Sequence, residues 1–211
     1  MKTSFLTLAL ALSAATAVAQ QVPMSVDPRT VPELKAEFAR AAKLGLPEAP
    51  LVSRARLGYS YNASVKRIGD VMHALTDRMV MARNALTPVQ ADAELEAGAN
   101  AIQSGVPERV LRNLRTAQPV RSLAVPIGVL QELVLRGVPW KQAAVKVDSM
   151  LKRNVADVQI ALLGRDIQAD IASGLAPSVA LDVRSRGVLS LPQGAVQGSA
   201  VAPTTIRPPP R

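Results

Sequence analysis

Few side chains in this sequence could carry out chemistry, and their spacing limits what that chemistry could be. His73 is the only histidine, and there is no cysteine. A zinc site needs three or four ligands drawn chiefly from those two residue types, so a single imidazole cannot supply it. A serine triad would need the same histidine together with a nucleophile elbow, and the chain contains no Gly-x-Ser-x-Gly. His73 is expected on the flank of its helix, facing solvent. Carboxylate pairs offer another route. Asp166 and Asp170 stand one helical turn apart, as do Asp92 and Glu96, a spacing that could hold a divalent cation or divide acid from base work. Arg165 beside the first pair, and the acidic run Asp92-Ala-Glu-Leu-Glu96 around the second, point instead to solvated helix faces. No catalytic, metal-ligating or cofactor-binding residue is assigned.

The basic groups are more suggestive. Arg109, Arg112 and Arg115 recur every three residues, and Arg121 follows in the next loop. Such a stripe can grip phosphates or carboxylates. Trp140 follows Pro139 at a helix start, where an indole covers the turn as a half-buried lid or anchors a protein contact. Arg109, Arg112, Arg115, Arg121 and Trp140 form the candidate partner- or anion-binding set, with the 116–125 stretch beside them. The chain carries a net charge of +9, and Lys2 is the only charge in its first 19 residues, so about +8 remains beyond them. That balance favours anionic partners. Two Tyr, two Phe and one Trp are too few to build a stacking platform for single-stranded nucleic acid, and nucleic acid is not expected as a partner.

The elements that must position these groups read as helices throughout. Residues 1–19 form a leader: Lys2 precedes the apolar run Phe5–Leu12, and Ala17-Val-Ala19 supplies the small-x-small cleavage pattern. The apolar run falls short of the roughly 20 residues that span a bilayer, so export with cleavage after Ala19 is expected, to the periplasm or beyond, with no transmembrane span afterwards. Residues 20–30 read as a linker, 31–190 as one helical domain, and 191–211, rich in Pro, Gly, Gln and Ser, as a disordered tail. With no disulfides and few aromatics, the domain must be held by Leu, Val, Ile, Met and Ala. Ala-faced helices pack closely and leave few large pockets, which weighs against a small-molecule enzyme.

Within the domain, Thr30-Val-Pro-Glu33 reads as a capping box. Val65, Ile68, Met72, Leu75, Met79, Ala82 and Leu86 step by three and four, the stripe of a long amphipathic helix of roughly 36 Å that serves as a spine. Thr87-Pro-Val-Gln90 is expected to end this helix and cap the next, and Asn154 to cap a later one. Punctuation between helices follows one pattern. Gly45-Leu-Pro, Gly105-Val-Pro, Gly137-Val-Pro and the looser Gly174-Leu-Ala-Pro each pair a residue free to adopt positive φ with a proline suited to the next helix start. The expectation is all-α: about eight or nine helices joined as hairpins into an irregular bundle or a short solenoid. The intervals between these glycines are 60, 32 and 37 residues. The last two approach the roughly 33–40 residue units of helical solenoids and the first does not.

The phrases Ala97-Gly-Ala-Asn-Ala-Ile-Gln-Ser-Gly-Val-Pro107, Leu133-Val-Leu-Arg-Gly-Val-Pro139 and Asp170-Ile-Ala-Ser-Gly-Leu-Ala-Pro177 resemble those of exported bacterial helical-hairpin proteins to which no function is attached. The resemblance spans about residues 45–187 and implies a bacterial, extracytoplasmic setting, without an activity. Together these features point to a non-enzymatic interaction or scaffold protein of the envelope, partnered by an envelope protein or an anionic envelope component. Direct electrostatic binding of anionic lipid or polymer is the alternative, and a carboxylate enzyme built on Asp166 and Asp170 is a third.

Overall fold

A computed structural model describes residues 25–190. The leader and the C-terminal tail therefore lie outside the described residues. Within them the chain is all-helical, with nine α-helices and no strand: α1 Pro32–Lys43, α2 Ala49–Ser60, α3 Val65–Leu86, α4 Asp92–Gln103, α5 Glu108–Ala117, α6 Ala124–Leu135, α7 Trp140–Lys152, α8 Asp157–Ala172 and α9 Pro177–Ser190. They pack as an irregular bundle. None is long and apolar enough to cross a membrane.

The long helix α3 holds the bundle together because its stripe is apolar along its whole length. All seven residues of the 65–86 pattern are buried. The stripe serves two apolar clusters. Val65 to Met79 pack with α1, α2 and the start of α4, whereas Ala82, Ala85 and Leu86 join the larger cluster built from α4 to α9. Helices α3 and α4 meet so closely that a Cβ on Gly98 would lie 2.8 Å from the Ala82 Cβ and 3.0 Å from Leu86 Cδ1.

The helices end as the punctuation predicts. Gly45, Gly105, Gly137 and Gly174 all have positive φ. At each, the glycine N–H and the next N–H turn back to carbonyls of the last helical turn, as when Gly137 donates to Val134 and Val138 donates to Leu133, both at 3.0 Å. The same arrangement occurs at two asparagines. Asn62 (φ 51°) donates to Tyr59 while Ala63 donates to Gly58, and Asn154 (φ 55°) donates to Leu151 while Val155 donates to Met150. Asn154 thus closes α7 and does not cap α8, whose N-cap is Ala156. Asparagine tolerates the left-handed conformation better than most side chains, which lets it take the glycine slot.

Two other caps differ from expectation. The Thr30 hydroxyl donates to the Asp27 carbonyl within a 3-10 turn, Pro28–Thr30, and Val31 is the N-cap of α1. Pro28, within this turn, is already buried, so packing begins before the end of the 20–30 stretch read as a linker. After the cis peptide Thr87–Pro88, the chain runs on to Ala91 before α4 begins, so Gln90 closes no box.

Gly98→Ala should destabilise the fold by about 1–3 kcal/mol through overpacking, despite alanine's better helix propensity. Gly128→Ala, in α6 with nothing within 4 Å of the added Cβ, should stabilise by about 0.5–1 kcal/mol. Urea denaturation of the two variants checks both signs.

Candidate functional site

The structure splits the arginine stripe. Arg115 is only 4% exposed and points inward, which corrects its assignment to a binding surface. Its countercharge is Glu94, fully buried, so the acidic run on α4 is not wholly solvent-facing. Both Glu94 carboxylate oxygens lie 2.7 Å from Arg115 Nη2. Arg115 Nε donates to the Leu86 carbonyl at 3.0 Å, and Nη1 reaches the carbonyls of Gln118, Pro119 and Arg121 at 2.9, 3.3 and 3.0 Å. Glu94 also accepts the Gln90 N–H at 2.9 Å and the Leu123 N–H at 2.5 Å. A buried charge is tolerated only when its hydrogen-bonding capacity is filled, and here backbone groups that helix ends leave without partners fill it.

Arg121 is half-buried and likewise structural. It donates to the Val155 carbonyl at 2.7 Å and pairs with Asp157, while Gln118 Nε2 donates to the Leu151 carbonyl at 3.0 Å. The 118–123 loop is thereby fastened to the α7–α8 corner, leaving Pro119 and Val120 as its outward residues. Arg112 is exposed and lies 3.6 Å from Glu108.

The other groups with chemical potential also join helices. His73 is exposed on α3, with Nδ1 3.0 Å from Glu37 Oε1 on α1 and Arg40 close by; Arg40 in turn pairs with Asp77. Asp170 on α8 receives two 2.6 Å hydrogen bonds from Arg184 on α9, and Asp166 stands 3.9 Å from the same guanidinium. These bonds hold the Asp170 carboxyl below the ordinary aspartate range. Lys146 on α7 does the same for Asp182 on α9, at 3.0 Å. Asp166 and Asp170 line a shallow groove with Leu162 and Val183, but the acid that is more enclosed is tied to Arg184. No group of three or more His, Cys, Asp or Glu side chains suited to a metal ion occurs among the described residues.

Arg109 and Trp140 remain, and the fold brings them together. The Arg109 guanidinium lies 5.2 Å from the Trp140 ring centroid, and Lys141 Nζ lies 5.7 Å from it. Both are cation–π distances. Trp140 is half-buried at the first position of α7, after the Pro139 cap. Arg109 meets Trp140 at the N-terminal ends of α5 and α7, and Gln118 meets Leu151 at their C-terminal ends, so the two helices run parallel. Between them lies an open groove of about 600 Å³. Val110, Leu114, Ala117, Ala144 and the 63% exposed Val145 give it an apolar lining, and Arg109, Lys141, Asp148 and Lys152 rim it. Lys152 pairs with Asp148 at 2.6 Å. Among the described residues, Arg109 and Lys141 have no carboxylate within ion-pair distance. Lys141 and Val145 escaped sequence reasoning, and Lys152 counted only as one more basic residue. Their only signal was an apolar or basic side chain off the buried stripe of α7, and nothing in the sequence told that α7 would lie parallel to α5.

No family model matches the chain, and neither does any curated protein or solved structure.

Glu94→Ala should cost about 3–5 kcal/mol because it strands a buried guanidinium. The double variant Glu94→Leu/Arg115→Met should not recover this loss, because the backbone groups the pair served would be orphaned at about 1–3 kcal/mol each; urea midpoints decide. Asp170 and Asp182 have folded pKa values below their unfolded ones, so their contribution is complete above the unfolded value of about 3.9 and is lost as the pH falls through the folded values. Amide exchange should therefore show α9 losing protection before α3 as the pH is lowered below about 4, and Asp170→Asn should flatten that difference.

Proposed function

We propose that this chain is an exported, non-enzymatic scaffold of the bacterial envelope that works by binding another envelope component, in the first instance a protein, at the α5/α7 groove. One observation supports this above the others. At the groove mouth two cations that meet no carboxylate among the described residues flank the chain's single tryptophan, beside the exposed Val145 and the half-buried Ala117 and Ala144. Arg115, Arg121, Asp170 and His73, by contrast, are engaged in joining helices or in fastening a loop to them. Tryptophan and arginine beside an apolar patch are the residue types that anchor protein interfaces.

Attraction of anionic lipid or polymer by charge alone is the weaker reading for this surface. The neighbouring cations Arg112 and Lys152 are largely compensated by Glu108 and Asp148. Recognition that depends on apolar contact responds far less to salt than counterion release does.

In cells, the purified protein should begin at Gln20 and fractionate with the envelope contents. A photo-cross-linking residue at Val145 should capture one envelope protein, and the same residue at Ser53, exposed on α2, should not. A chain that keeps Met1 in the cytoplasm, or a capture pattern identical at both positions, refutes the proposal.

A further inference from the structure

The α5/α7 groove has a direction as well as a chemistry. Both helices start at the same end, and that end also holds Arg109, Trp140 and Lys141. The positive ends of two helix dipoles therefore lie beside two cations that, among the described residues, have no ion-pair partner, and the acid at that end, Glu108, stands with Arg112. At the opposite end the Asp148–Lys152 pair is close to neutral, with Thr116 beside it. The apolar positions between the ends fall at helical spacing: Val110, Leu114 and Ala117 on α5, and Trp140 and Ala144 on α7. Two ridges so spaced form a seat for the ridge of a third helix. The helices are 10 and 13 residues long, which gives a seat roughly 15–20 Å long at 1.5 Å per residue. An acyl chain or small ligand is normally enclosed over most of its surface, whereas this groove is open along its length.

Resting on the reading of the groove as the binding surface, we propose that its occupant is an acidic amphipathic helix of a partner protein. Its apolar face packs between α5 and α7, and its acidic turn lies against Arg109 and Lys141. A carboxylate there gains two charge-assisted contacts over the face of Trp140, and the apolar face covers Val145 and Ala144.

Trp140 is the only tryptophan in the chain, so its fluorescence reports on this site alone. The protein as purified from the envelope is titrated with a synthetic amphipathic peptide of about four turns that carries leucines at three- and four-residue spacing and glutamates in one terminal turn. Three comparison ligands are a peptide of the same composition with the spacing scrambled, a peptide with lysine in place of glutamate, and vesicles of anionic phospholipid. The acidic amphipathic peptide should shift the Trp140 emission saturably, and each control peptide should bind at least about tenfold more weakly, equivalent to 1.4 kcal/mol. Arg109→Glu/Lys141→Glu should weaken the acidic peptide by a similar factor and favour the lysine peptide. Val145→Glu should weaken both while leaving the helical circular-dichroism spectrum unchanged. Equal binding of the scrambled peptide, or unchanged affinity in the charge-reversed variant, overturns the proposal. A Trp140 response to vesicles but not to peptide overturns the helix and leaves the groove as a binding site. A response to none of the ligands removes both the helix and the groove.

Discussion

One buried ion pair fixes the geometry on which the rest of this bundle depends. Glu94 and Arg115 come from different helices, yet between them they satisfy the last carbonyl of α3, the N–H of Gln90 before α4, three carbonyls of the 118–123 loop and the N–H of Leu123 at the start of α6. Each of these backbone groups lies where a helix begins or ends or where a loop turns, beyond the reach of regular helical bonding. An arginine has five donors set in a rigid fork, and this one spends them at a single junction of four chain segments. Apolar burial alone would allow α5 to slide along its neighbours, because the hydrophobic effect has no direction. The pair removes that freedom. It thereby fixes where α5 stands, and the position of α5 relative to α7 defines the groove.

The parts of this architecture that were legible in the sequence are those governed by local rules. The stripe of α3 is read from spacing alone, and all seven of its positions are buried. Among the described residues, four of the six positive-φ corners are glycines, and all four could be located. Asn62 and Asn154 are not legible as left-handed corners because no proline follows them and because asparagine favours helix starts as much as helix ends, which is why Asn154 reads as a cap for α8. What was not legible depends on partners far along the chain. Glu94 sits in an acidic run that looks solvent-facing, and Arg115 completes an arginine period that looks like a surface. A signal was nonetheless present. Glu94 falls on the face of α4 that carries Gly98 and Ala101, and Arg115 falls on the face of α5 that carries Leu111 and Leu114. A charge on an apolar stripe calls for a buried countercharge, and each of these residues supplied the other's.

The candidate site was half legible for the same reason. Arg109 and Trp140 could be chosen by residue type, but that they would touch depends on α6 returning the chain so that α7 runs parallel to α5. The apolar composition of the domain shapes this site too. With alanine and glycine at many contacts, helices such as α3 and α4 approach until no further methyl group fits. The bulky groups that remain are few, and the single indole lies on the rim of a groove and not within a core.

The corners at Gly45, Gly105 and Gly174 have one more consequence. Nothing lies within 4 Å of the point where a side chain would begin at any of them, so the polypeptide emerges there into solvent between helices that are already anchored elsewhere. Extra residues spliced into such a bend would meet no neighbour, and the entropy of closing the longer loop grows only logarithmically with its length. Over evolutionary time, these bends are where the scaffold could acquire new segments while both of its cores stayed intact.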